Sequence, residues 1–142
     1  MRNRLIWTDG NTTGLVLRLA LGIVIFPHGA QKLLGWFGGG GVSGTMGFFE
    51  TLGVPALLTW LVIIAEFFGS LGLIVGFLTR LCAAGIGCVM LGAIYFVHWQ
   101  NGFFMGDGGF EYHLLAVGVV LALLITGGGR ASVDHALSRR KA

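Results

Sequence analysis

Ionisable and hydrogen-bonding side chains interrupt two long apolar runs of this sequence. The stretch from Phe26 to Lys32 reads FPHGAQK and closes an apolar run in which Arg18 is the one other charge, and Glu66 stands in the middle of the next run. Ionisable groups inside a bilayer cost on the order of 3 kcal/mol each on insertion scales, and they persist where they face a bundle interior and find partners. The pattern therefore indicates a polar site inside an apolar protein.

The spacing of these groups predicts which of them meet. Arg18 and Lys32 lie about 40° apart on a helical wheel and share a face, and His28 lies at the margin of that face. Because Glu66 falls near the middle of its run, we predict that Arg18 pairs with it from one side and that His28 reaches it from the other. Three interpretations stay open: a structural ion pair that locks two helices together, a polar pocket for a ligand or a proton, or a protonated Glu66 that is tolerated without a partner.

A second set of polar and aromatic side chains is expected near the outer end of the same segments. Tyr95, His98 and Trp99 have the i, i+3, i+4 spacing that places side chains on one helix face. Together with Glu111 and His113, and with the histidine and lysine of FPHGAQK, they are expected to rim an outward-opening cavity. The alternative is that His98 and His113 are interfacial side chains hydrogen-bonded to a loop.

Metal, dinucleotide and nucleic-acid sites are not expected. His28, His98 and His113 come from three different segments, and the sequence has neither HxxxH nor HExxH spacing. The run GGGVSG at 39–44 matches GxGxxG, but it follows an apolar helix instead of a strand, so we interpret it as a loop. No stripe of Lys and Arg with interleaved aromatic residues indicates nucleic-acid binding.

The composition is that of a membrane protein. Hydrophobic residues make up 55% of the 142 residues and charged residues 11%, and the mean hydropathy is +0.85. Soluble chains carry about 25% charged residues, so this chain cannot cover its surface with polar groups and lipid is the expected solvent. Cys82 and Cys88 point about 240° apart on a helix and are interpreted as two small apolar thiols.

Four apolar segments are expected to position the polar groups. A spanning helix needs about 20 apolar residues. We therefore predict an all-α fold, an integral membrane four-helix bundle formed by one membrane domain over residues 1–142. The predicted spans are about 12–34, 55–78, 81–99 and 111–126. A long outer loop at 35–54 contains a short helix, Met46–Leu52, and the tail at 130–142 is basic.

The distribution of Lys and Arg predicts the orientation. In a four-span arrangement Lys32 lies near one side, and seven basic residues fall on the other. They are Arg2, Arg4, Arg80, Arg130, Arg139, Arg140 and Lys141. The positive-inside rule then puts both termini in the cytoplasm of a multi-pass protein of the inner membrane. No small-residue cleavage site follows the first apolar run, so we expect this run to remain as the first span.

The order of these motifs resembles the DoxX family of small bacterial membrane proteins. The matching features are Arg18, the GAQK stretch at 29–32, EFFG at 66–69 with GFLTR at 76–80, His98, and GGGRASVD at 127–134. The resemblance covers about residues 12–136. It implies a four-helix inner-membrane protein from a family whose members include subunits linked to thiosulfate:quinone oxidation and to membrane-associated thiol and oxidative-stress systems.

The leading functional hypothesis is a redox-accessory subunit that binds a quinone-like small apolar ligand in a bundle pocket with a polar centre. Quinone is the one cofactor considered, the catalytic residues are unknown, and whether the chain is an enzyme stays open. The expected partners are the lipid bilayer, a redox partner protein and a second copy of the chain. The alternatives are a non-catalytic, chaperone-like assembly subunit and a transporter of small solutes or protons. The expected ligand-binding residues are Arg18, His28, Lys32, Glu66, Tyr95, His98, Glu111 and His113.

Overall fold

The computed structural model describes residues 6–8 and 10–140, apart from the side chain at 140. The predicted contributions of Arg2, Arg4 and Lys141 to topology lie outside these residues. Within the described part, the chain forms six α-helices and no strand, which confirms the all-α fold. The helices are α1 Thr12–Leu33, α2 Gly41–Thr51, α3 Ala56–Val75, α4 Thr79–Ala93, α5 Glu111–Thr126 and α6 Val133–Arg140.

Helix α1 begins at a polar cap and continues through its proline. The side chain of Asn11 accepts a hydrogen bond of 2.7 Å from the Gly14 amide, which satisfies one of the first amides of the helix. Although an interior proline removes one helical hydrogen bond, α1 is unbroken at Pro27. The FPHGAQK stretch is therefore part of the continuous helix α1.

Helix α2 starts five residues before the predicted piece, Met46–Leu52, because the glycine-rich run at its start is itself helical. A tertiary contact holds it: the Thr45 hydroxyl donates to the carbonyl oxygen of Lys32, at 3.3 Å. The predicted outer loop is thus largely a second short helix that lies against the end of α1.

Four helices pack in a closed ring. Helix α1 contacts α3 and α5, and α4 contacts α3 and α5. The core between them consists of buried apolar side chains: Leu21, Ile25, Leu73, Ala83, Ile86, Met90, Ala116, Val120 and Leu123. The outward faces are also apolar, with exposed Leu, Ile, Val and Phe side chains along α1, α3, α4 and α5. A polar solvent would penalise such a surface, whereas lipid does not.

Among the residues that the structure describes, three helical stretches are long and apolar enough to cross a membrane: Thr12–Leu33, Ala56–Val75 and Thr79–Asn101. Glu111–Thr126 is apolar but shorter, with 16 residues, which rise about 24 Å. The four-span topology with both termini in the cytoplasm stays a prediction. Below, the end of the ring that holds the start of α1 and the end of α5 is called the termini end, and the opposite end, with α2, is called the loop end.

Arginine side chains fix the termini end by donating to backbone carbonyls. The Arg80 guanidinium donates to Leu124 O at 2.8 Å, to Ile125 O at 3.0 Å and to Trp7 O. The last carbonyls of a helix have no partner within that helix, so Arg80 satisfies the end of α5. This contact holds α5 against the start of α4.

The aspartate of the GGGRASVD motif joins α6 to the start of α4. Both carboxylate oxygens of Asp134 accept hydrogen bonds from backbone amides, from Leu78 at 2.9 Å and from Thr79 at 2.8 Å. Leu78 has a φ of 47°, a left-handed conformation that is unusual for leucine. The buried carboxylate therefore stabilises a strained turn and caps α4.

Candidate functional site

A charged pair bridges α1 and α3 at the loop end. The Lys32 ammonium lies 2.5 Å from a carboxylate oxygen of Glu66, and the Glu66 side chain is 6% exposed. Two charges in an apolar bundle are costly unless they are paired and hydrogen-bonded. This pair is the polar centre of the structure, and it contains Lys32 where the sequence predicted Arg18.

The predicted pairing of Arg18 with Glu66 is wrong. Arg18 is buried at the termini end, where its guanidinium donates four hydrogen bonds to carbonyl oxygens. The acceptors are Gly128 O at 2.9 Å, Leu73 O at 3.0 Å, Ile74 O at 2.5 Å and Ala131 O at 2.7 Å. Arg18 thus joins α1 to the end of α3 and to the loop after α5, and it does not contribute to the polar centre.

A close contact between the backbones of α1 and α3 sets the position of Glu66 along α1. A Cβ atom at Gly29 would lie 2.6 Å from the backbone nitrogen and Cα of Phe67, so only glycine allows this contact between α1 and α3. The rings of Phe26 and Phe67 pack beside it, 5.7 Å apart. Because Gly29 lies against the Glu66–Phe67 backbone, Glu66 meets the last turn of α1, which carries Lys32, and not the first turns, which carry Arg18.

The first turn of α5 lies beside the charged pair. The ring of Tyr112 lies 6.3 Å from the ring of His28, and the Glu66 carboxylate interacts electrostatically with both side chains. The predicted approach of His28 to Glu66 from the loop end is consistent with this arrangement. Tyr112 was not among the predicted site residues. Its position between Glu111 and His113, at the start of an apolar segment, is the sequence feature that could have indicated it.

Two histidines extend the polar region towards the loop. The rings of His98 and His113 lie 4.1 Å apart. His98 Nδ1 lies 2.6 Å from the carbonyl oxygen of Gly108, and because a carbonyl can only accept, Nδ1 carries the proton of this bond. His98 thus has the loop hydrogen bond that the alternative expects, and its part in binding a ligand stays a prediction. We call His28, Lys32, Glu66, His98, Tyr112 and His113 the loop-end cluster.

Two predicted site residues lie outside the loop-end cluster. Tyr95 is 77% exposed, and its ring packs 5.0 Å from that of Phe96. The segment Ile94–His98 is π-helical, so the α-helical spacing that placed Tyr95 and His98 on one face does not apply. Glu111 accepts a hydrogen bond of 2.8 Å from the Met105 amide and so holds the loop before α5.

An open apolar groove of about 490 Å³ runs along the outer face of α5. Glu111 is its one charged wall residue, and it directly precedes Tyr112 of the loop-end cluster in the sequence. The remaining walls are Leu17, Phe103, Leu114, Leu115, Gly118, Val119 and Ala122. Among the described residues, no three His, Cys, Asp or Glu side chains are placed to hold a metal ion, and both cysteines are free thiols.

Comparisons with known proteins agree with this architecture. The sequence model of the DoxX family matches residues 14–99. A Bacillus subtilis protein named "Putative oxidoreductase CatD" is 32% identical over 109 residues, which cover 77% of this chain and 76% of the relative. The Escherichia coli "Inner membrane protein YqjF" is 32% identical over 126 residues, which cover 89% of this chain and 92% of the relative. No solved structure matches the chain. The chain is a membrane protein that belongs to the DoxX family.

Proposed function

We propose that this protein is a redox-accessory subunit of the inner membrane that binds a quinone-like small apolar ligand at the loop-end cluster. The observation that carries the proposal is the Lys32–Glu66 pair, which lies between α1 and α3 at the loop end of a bundle with an apolar core. Ligand sites of this kind have apolar walls and a few convergent polar groups. The cluster provides the polar groups, from α1, α3, α5 and the π-helical segment Ile94–His98, and the Phe26–Phe67 pair provides an apolar wall.

The pair leaves hydrogen-bonding capacity for a ligand. An ammonium group has three N–H donors, and Glu66 accepts one of those of Lys32. The Lys32 side chain is 23% exposed, so it is reachable from outside the bundle. A quinone carbonyl oxygen accepts hydrogen bonds, and a charged donor makes such a bond about twice as strong as a neutral one. The nearby phenylalanine pair offers an apolar wall to the ring of the ligand.

Two comparisons support the redox and inner-membrane parts of the proposal. One relative is named as an oxidoreductase and another as an inner membrane protein. In our proposal a partner protein supplies or takes the electrons, while this chain holds the ligand and orients its polar atoms. The open groove along α5 offers room for an apolar tail of the ligand.

A structural assembly subunit is the second candidate, and the same pair favours it. Lys32 and Glu66 join α1 to α3, whose contact depends on the missing side chain of Gly29. In this candidate the pair locks the two helices and binds nothing. Breaking a buried pair by removing one partner costs about 3–5 kcal/mol, so the two candidates predict different effects on stability.

Mass spectrometry of lipid-soluble molecules that copurify with the protein tests the proposal directly. We expect a quinone in the wild-type protein, and we expect its removal to lower the thermal stability and its re-addition to restore it. Wild-type protein that carries no quinone, and whose stability does not respond to added quinone, would refute the proposal.

Replacing Glu66→Gln separates the two candidates. If the cluster is a ligand site, the variant folds with a melting temperature near that of the ligand-free wild type, and its affinity for quinone falls about tenfold or more. If the pair is a structural lock, the ligand-free variant loses about 10 °C of thermal stability. Glu50→Gln, at an exposed position of α2, is the matched control and should change neither quantity.

A further inference from the structure

Two buried polar atoms at the start of α5 have no hydrogen-bond partner within residues 6–8 and 10–140. They are the hydroxyl oxygen of Tyr112 and Nδ1 of His113. His113 is 7% exposed as a whole residue. The large majority of buried polar side-chain atoms in native proteins are hydrogen-bonded, so two neighbouring exceptions indicate a place where another molecule supplies the partner.

Both atoms belong to residues that face the charged pair and its surroundings. The Tyr112 ring lies 6.3 Å from His28 and 5.2 Å from His113, and Tyr112 interacts electrostatically with Glu66. His113 interacts electrostatically with His28 as well as with its ring neighbour, His98. The unpartnered atoms therefore lie on the α5 side of the cluster, across from the groups that α1 and α3 contribute.

We infer that Tyr112 donates a hydrogen bond to one oxygen of the bound ligand, while Lys32 donates to another. This inference rests on the proposed function. A quinone has two carbonyl oxygens on opposite edges of its ring, so it can accept from donors on two sides at once. Helix α5 thus supplies one side of the site, and Tyr112 is its hydrogen-bond donor.

The test replaces Tyr112→Phe, which removes the hydroxyl and keeps the ring. The probe is 2-methyl-1,4-naphthoquinone, titrated into the detergent-solubilised full chain and followed by tryptophan fluorescence. Loss of one neutral hydrogen bond predicts a Kd about 3- to 10-fold weaker. Tyr95→Phe is the matched control, because Tyr95 is the other tyrosine of the chain and is exposed. The Kd of this variant for the quinone should equal that of the wild type.

A structural role for the hydroxyl predicts a different result. Because the hydroxyl has no partner among the described residues, its removal should leave the melting temperature of the ligand-free protein unchanged or raise it. A clear fall in that temperature would show that the hydroxyl is bonded within the protein and would overturn the inference.

The outcomes also separate this inference from the proposed function. If the wild type binds the probe and Tyr112→Phe binds it equally well, the inference fails and the proposed function stands. If the wild type does not bind the quinone at all, both fail. Weaker binding in Tyr112→Phe alone, with unchanged stability of the ligand-free protein, supports both.

Discussion

Replacing Arg18→Lys should destabilise the protein strongly although it conserves the charge. The Arg18 guanidinium donates to four carbonyl oxygens that belong to the end of α3 and to the loop after α5. These acceptors lie around a planar group whose donors point in several fixed directions. A lysine ammonium presents its donors from a single point, so it cannot reach all four acceptors.

The size of the effect follows from the bonds that are lost. Hydrogen bonds that involve a charged group contribute about 1.5–3 kcal/mol each. If lysine keeps two of the four bonds of the buried arginine, the loss is about 3–6 kcal/mol. At about 3 °C per kcal/mol for a chain of this size, the melting temperature should fall by about 10 °C or more.

The assay is thermal unfolding of the purified variants in one detergent, followed by loss of the monodisperse peak in size-exclusion chromatography. Arg130→Lys is the matched control. Arg130 is exposed, and its guanidinium donates to the Thr12 hydroxyl at 3.4 Å, a surface contact worth about 0–1 kcal/mol at most. We expect the control to melt within about 2 °C of the wild type.

An Arg18→Lys protein that melts within about 2 °C of the wild type would contradict the structure at the termini end. A double-mutant cycle tests the reasoning further. Arg18 and Glu66 share no partner in the structure, so the effects of Arg18→Lys and Glu66→Gln should add within about 0.5 kcal/mol. A coupling of 1 kcal/mol or more would support the pairing that the sequence predicted.

Two further predictions concern the packing of the helices. Gly29→Ala should destabilise the protein by about 1–3 kcal/mol, because the new Cβ would lie 2.6 Å from the Phe67 backbone. Gly44→Ala is the control and should be neutral or slightly stabilising, because the space around Gly44 is open. Thermal unfolding of the two variants checks this prediction. Asp134→Asn should lower the melting temperature by about 5 °C, because the asparagine side chain has one acceptor oxygen for the two backbone N–H groups at the start of α4. The control Asp107→Asn, at an exposed position, should leave the melting temperature unchanged. Equal melting temperatures within either pair would contradict the corresponding contact.

The sequence predicted the helices well because long apolar runs bounded by glycine, proline and polar residues leave few alternatives. The bounds of α1 and α5 differ from the predicted ones by at most one residue. The short helix α2 was misplaced because glycine disfavours helices in isolation, whereas here a contact between Thr45 and the end of α1 holds it.

The partner of Glu66 could not be predicted from helical wheels. Arg18 and Lys32 share a face of α1, so their angle around the helix does not show which of them meets Glu66. The answer depends on how far α1 and α3 are displaced from each other along the bundle axis. Gly29 fixes that displacement through a backbone contact of a kind that side-chain spacing does not reveal. The partners of Arg18 could not be predicted from the sequence either, because they are backbone carbonyl groups, which every residue carries.

The contribution of α5 to the candidate site was predicted only in part. His113 was expected near the outer histidines, and the structure places it beside His98. Tyr112 and the exposure of Tyr95 depend on how α5 and the π-helical turn after α4 are rotated in the bundle. Such rotations follow from packing against neighbours, and a single sequence gives no direct measure of them.

The contacts of Arg18 have a consequence for how the sequence of this fold can change in evolution. All four acceptors are main-chain oxygens, so substitutions at Leu73 and Ile74 do not remove an acceptor, whereas a side chain at Gly128 would lie 2.7 Å from the Thr79 hydroxyl. Homologous chains can therefore replace residues around the arginine without a compensating partner substitution. Searches for correlated substitutions would therefore find no side chain that acts as its hydrogen-bond acceptor, even though this arginine joins three parts of the protein.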